Sequence, residues 1–105
     1  MVILETTMFT RQVLDLLSDD EYRQIQEYLI FHPDSGQIIP SGGGLRKLRW
    51  AAKGHGKRGG VRVIYYWAVA YDRILMLWIY AKNEQADLSP AQLKMAKQFV
   101  EDEYP

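Results

Sequence analysis

The sequence contains no cysteine. That excludes disulfides and thiolate metal sites, and it leaves the redox compartment undetermined. No apolar run approaches the roughly 20 residues that cross a bilayer as a helix. The opening MVILETTMF has neither a basic region nor a long apolar region, so no signal peptide is expected and cytoplasmic residence is the default expectation. No long low-complexity segment suggests disorder, and nothing repeats. The most telling absence is of one charge sign. No Asp or Glu lies between Asp34 and Asp72, although the whole chain carries 13 basic and 13 acidic side chains.

What fills that gap is basic. Residues 35–71 hold Arg46, Lys47, Arg49, Lys53, Lys57, Arg58 and Arg62. Residues 1–34 hold seven acids against two bases, and residues 72–105 hold six acids against four bases. A neutral chain that gathers its cations into one stretch is arranged to meet something negative. Solvated faces ordinarily mix both signs, and this one does not.

At 105 residues the chain is expected to form one domain with a single modest core. Residues 2–5 form a short apolar run that fits a strand. Phe9, Val13, Leu16 and Leu17 recur at helical spacing. Ser18 and Glu21 make a capping box, and Tyr22, Ile25, Tyr28 and Leu29 form the apolar face of the helix that follows. Pro33 and Gly36 end that helix and open a loop over residues 33–44. Successive amides in Ser41-Gly-Gly-Gly44 have the composition of an anion-binding nest, with a plain connector as the alternative.

Residues 45–51 alternate Leu45, Lys47, Arg49 against Arg46, Leu48, Trp50, which predicts a strand. A Gly- and Lys-rich turn follows over residues 53–60. Residues 61–69 and 74–80 are apolar on both faces, and the short turn between them predicts antiparallel neighbours. Ser89, Pro90 and Gln92 start a last helix, with Leu93, Ala96, Phe99 and Val100 on its apolar face. The expected class is α+β: a small, antiparallel-rich twisted sheet with two N-terminal helices and one C-terminal helix.

Several chemistries are unsupported. Gly54-His-Gly56-Lys-Arg-Gly59 matches the dinucleotide fingerprint literally, but a strand follows it where a helix is required. It also fails as a P-loop, because Arg58 stands where Ser or Thr belongs. His32 and His55 fall in different segments, and the basic stretch has no carboxylate to hold a hard cation, so no metal or other cofactor is expected. No serine sits in a nucleophile-elbow context. What remains is a cationic patch beside Trp50, Tyr65, Tyr66, Trp67, Trp78 and Tyr80. Lys and Arg neutralise phosphates, and aromatic rings stack unpaired bases. His55, crowded by cations, has the surroundings of a neutral imidazole, and an ordinary loop histidine is the alternative.

Taken in order, SDDEY, LRKLRW, GHGKRGGVRVIYYW, IYAKNE and DLSPAQ resemble the HigB-type branch of the RelE toxin superfamily, across nearly the whole chain. The resemblance implies a small α+β toxin of a type II toxin–antitoxin system that cuts mRNA on the ribosome without a metal. It implies a cognate antitoxin, often a helix-turn-helix protein, that binds the toxin and the operator DNA. Carried over by position, Lys47 and Arg49 match the superfamily's basic strand pair, and Arg62 matches the arginine of the next strand. Lys82 and Asn83 fall where a basic pair is common, so Asn83 departs from the pattern. Tyr104 finds no match for the superfamily's C-terminal tyrosine, and Tyr80 is the nearest candidate on the sheet.

The catalytic candidates are therefore Lys47, Arg49, Arg62, Tyr80 and Lys82. Arg46, Lys53, Lys57, Arg58 and Asn83 are candidates for binding RNA. In this reading the RNA's 2′-hydroxyl attacks the adjacent phosphate. Arg62 stabilises the phosphate and Arg49 positions it. Lys47 or Lys82, with its proton loosened by neighbouring cations, takes a proton, and Tyr80 or His55 supplies one. Two other readings fit the same patch: a non-catalytic RNA- or ribosome-binding module, and a domain that docks on an acidic protein.

Overall fold

The computed structural model describes residues 1–52 and 60–105. The candidates Lys53, His55, Lys57 and Arg58 lie outside the described residues. The elements, in chain order, are β1 (Val2–Glu5), α1 (Thr7–Leu16), α2 (Asp19–Phe31), β2 (Gln37–Ile38), β3 (Leu45–Trp50), β4 (Val61–Ala68), β5 (Arg73–Ala81) and α3 (Pro90–Glu103). Five strands make one sheet in the order β1-β5-β4-β3-β2. β3, β4 and β5 form the expected antiparallel meander. β1 adds to β5 in parallel, which a chain can do only after crossing over the sheet.

Two cores share this sheet. One face packs Val61, Val63, Tyr65, Ile74, Met76 and Ile79 against Phe9, Val13, Ile25 and Leu29 of α1 and α2. The other packs Leu45, Ile64, Leu75, Leu77 and Tyr80 beneath Ala96 and Val100 of α3. A sheet covered on both faces explains why β4 and β5 lack simple apolar–polar alternation. The helices start as their caps dictate. Ser18 and Glu21 exchange bonds across the start of α2, and Ser89 and Gln92 do the same for α3.

The segment over residues 33–44 is more ordered than a plain loop. Gln37 and Ile38 pair with Lys47 and Arg46, a strand too short to show a period in sequence. The Tyr65 hydroxyl donates to the Pro33 carbonyl at 2.7 Å and accepts the Gly36 amide at 2.9 Å. A Cβ on Gly36 would lie 2.7 Å from the Tyr65 ring, so glycine is required there. In the triglycine turn the Gly42 amide donates to the Ile39 carbonyl and the Leu45 amide to the Gly42 carbonyl. The Gly42 amide, one of the four in Ser41–Gly44, is thereby committed within the turn. At the other end, Val69 leaves β4 for a single 3₁₀ turn, Val69–Tyr71.

Candidate active site

In a sheet, directly opposed residues project to the same face. Arg49 of β3 opposes Arg62 of β4, and Arg62 opposes Tyr80 of β5. Lys47, Ile64 and Trp78 form the adjoining row. Tyr80 and Ile64 belong to the core beneath α3, so Lys47, Arg49, Arg62 and Tyr80 all lie on that face. Two arginines opposed across neighbouring strands repel each other, a local cost that packing does not require. Arg62 is nonetheless buried at 7% exposure. One of its guanidinium nitrogens donates to the Val61 carbonyl at 3.2 Å.

Tyr80 reaches this face because β5 is irregular. Ile64 pairs with Trp78 but Tyr65 pairs with Met76, so Leu77 is an extra residue in β5. Before the bulge, Ile74 and Met76 face α1 and α2, and Leu75 faces α3. Uninterrupted alternation would send Ile79 toward α3 and Tyr80 away from it. The bulge shifts the phase by one, and Tyr80 arrives beside Arg62. The bulge is held from the side. The Thr6 hydroxyl donates to the Leu77 carbonyl at 3.0 Å while accepting the Phe9 amide as the cap of α1. The Gln12 side chain accepts the Ile79 amide at 3.0 Å. β1 pairs with β5 only as far as Met76, and α1 takes over the edge from there.

The Tyr80 hydroxyl is buried and has no hydrogen-bond partner among the described residues. Burial pushes its pKa above the ordinary phenol range, the nearby Asp87 carboxylate adds to the rise, and Arg62 opposes it. A phenol held in its protonated form is equipped to donate a proton.

Lys82 continues the line of β5, its amide donating to the Gly60 carbonyl at 3.0 Å. That bond closes the start of β4 just before Arg62. Gly60 has φ +55°, and a Cβ there would fall 2.0 Å from the Trp50 carbonyl. The Lys82 ammonium donates to the Ala86 carbonyl at 3.1 Å. The Lys47 ammonium pairs with Asp87 at 3.4 Å. The sequence reading placed only cations around Lys47. Asp87 carries no signal for this in sequence, because it follows five residues of connecting chain and returns to the site only once that connection folds.

Other candidates are set apart. Arg46 opposes Tyr65, on the α2 face, and donates to the carbonyls of Asp34 and Gly36 at 3.0 and 2.9 Å. Asn83 is exposed beyond the end of β5. Tyr104 caps α3 and packs on Tyr66 and Tyr71, with ring centroids 5.9 and 4.8 Å away. Tyr66 is four residues from Arg62 along β4, a separation of about 13 Å. His32 ends α2 and packs against Tyr28. Among the described residues no group of His, Asp and Glu gathers to hold a metal, and no helix is long and apolar enough to cross a membrane.

The family model described as the RelE toxin of the RelE/RelB toxin–antitoxin system matches residues 1–103. The chain belongs to the RelE toxin family. It is thus the toxin of a toxin–antitoxin pair, and its family implies a cognate antitoxin. In this RelE toxin the basic strand pair, the β4 arginine and the β5 tyrosine share the sheet face that packs against α3.

Proposed function

We propose that this toxin is a metal-independent endoribonuclease that cuts ribosome-bound mRNA and thereby inhibits translation. The row Arg49–Arg62–Tyr80 carries the reading. RNA carries its own nucleophile, so the protein must remove a proton, return one, and hold charge on the phosphate. Arg62 is fork-shaped and always cationic, and it stabilises the phosphorane charge. Arg49 beside it orients the same phosphate. Lys82, once it has released its own proton to solvent, takes the 2′-hydroxyl proton as a neutral amine, and Lys47 supports the negative charge. Tyr80 protonates the departing 5′-oxygen. Every group the reaction needs is a side chain of one sheet face and its outgoing segment.

The toxin works in the cytoplasm within a HigB-type branch. Its antitoxin is a helix-turn-helix protein, and operator DNA is reached only through that antitoxin. Expression of the toxin with and without the adjacent gene's product, followed by mapping of mRNA 5′ ends, tests the reading. New ends with growth arrest are expected, relieved by the neighbour and absent with Arg62→Ala. Unchanged 5′ ends, or retained cutting by folded Arg62→Ala, would overturn it.

A further inference from the structure

Asp87 is a carboxylate set within the basic group, and the reaction just described gives it no task. It lies between β5 and α3 in a segment closed by its own bonds. Asp87 Oδ1 accepts the Leu88 amide at 2.9 Å and lies 3.4 Å from Lys47 Nζ. Its backbone carbonyl accepts Gln85 Nε2 at 2.8 Å. The same Gln85 amide reaches Gln92 Oε1 at 2.5 Å, the oxygen that accepts the Ser89 amide in the α3 capping box. Lys82 Nζ meanwhile donates to Ala86. The two lysines of the site are therefore held by successive residues of one segment, which is itself fastened to the start of α3.

Building on the reading of this face as an RNA phosphate site, we propose that Asp87 is a positioning and specificity residue. Its carboxylate occupies, beside Lys47, the place that an RNA phosphate takes, and it yields that place when RNA binds. The pair is built to be exchanged. Lys47 is mostly covered at 21% side-chain exposure, whereas Asp87 is 72% exposed. Exposed ion pairs contribute little, so one monoanion replaces another at small cost. An isolated anion meeting only Lys47 gains almost nothing over Asp87. A polyanion that also engages Arg49 does gain, because it meets a second cation besides Lys47. Asp87 thereby favours a continuous backbone over single phosphates, and it keeps the Lys47 ammonium aimed into the site until RNA arrives.

Asp87→Asn tests this, since the amide keeps the shape and can still accept the Leu88 amide. Binding of a fluorescent 2′-O-methyl oligoribonucleotide, which cannot supply the nucleophile, is read by anisotropy at fixed salt. The expected result is tighter binding by about three- to five-fold. Glu84→Gln removes the same charge from the same segment and should gain roughly two-fold or less. In a Lys47→Met background, Asp87→Asn should gain nothing further. Equal or weaker binding by Asp87→Asn would overturn the proposal, as would an equal gain from Glu84→Gln or a gain that persists without Lys47. Cleavage of unmodified RNA by the wild-type toxin, measured alongside, separates the two readings. Cutting without the Asp87–Lys47 coupling sinks only the role of Asp87. Coupling without cutting sinks only the nuclease.

Discussion

At Tyr80 the ring fills part of the core beneath α3, while its buried hydroxyl has no hydrogen-bond partner among the described residues. A polar group left that way costs stability, because it has given up water for nothing. Tyr80→Phe should therefore leave the urea midpoint unchanged or raise stability by up to about 1 kcal/mol. Cleavage by the same variant should fall by about 10²-fold or more. A fold that becomes firmer as its chemistry fails is the mark of a group kept for function. The phenols also set a pH response. Burial leads the upward shifts of Tyr22, Tyr65 and Tyr80. Above pH of about 10 the unfolded chain releases phenolic protons that the folded chain keeps. The folded state then binds more protons, so stability is fully present below that pH and falls as pH rises further. Urea midpoints measured between pH 8 and 11 should show the decline, and Tyr80→Phe should make it shallower.

Among the elements, β5 decides whether a site exists. Its bulge at Leu77 switches the strand's phase and delivers Tyr80 to the arginines. Sequence periodicity cannot reveal this, because a strand buried on both faces shows no alternation to interrupt. Lys47, Arg49 and Arg62 were legible for the opposite reason. A period of two puts Lys47 and Arg49 on one face, and antiparallel pairing of β3 with β4 brings Arg62 alongside. The capping boxes of α2 and α3 were equally readable, since they depend on four consecutive residues. The parallel pairing of β1 with β5 was not, because it joins segments about 70 residues apart and has no local signature. Thr6 links these features by capping α1 and bonding the bulge carbonyl. Thr6→Val should cost about 1–2 kcal/mol in urea denaturation. It should also weaken cleavage, as the Tyr80 end of β5 loses its brace.

Across the whole molecule, charge and topology agree. The acid-free stretch spans β3, β4 and the segment between them, and the sheet order places those strands beside the one that carries Tyr80. The exception, Asp87, arrives from a region that the sequence shows to be mostly acidic, and its return to Lys47 depends on a folded connection that no motif announces. In the proposed reaction the substrate's own 2′-hydroxyl is the nucleophile and this face supplies the rest. A target RNA carrying a single 2′-deoxy substitution at the nucleotide before the scission site measures it directly, in binding and cutting assays run side by side. The account predicts unchanged binding and no cutting at that position. Cutting of the deoxy substrate at the native position would contradict it.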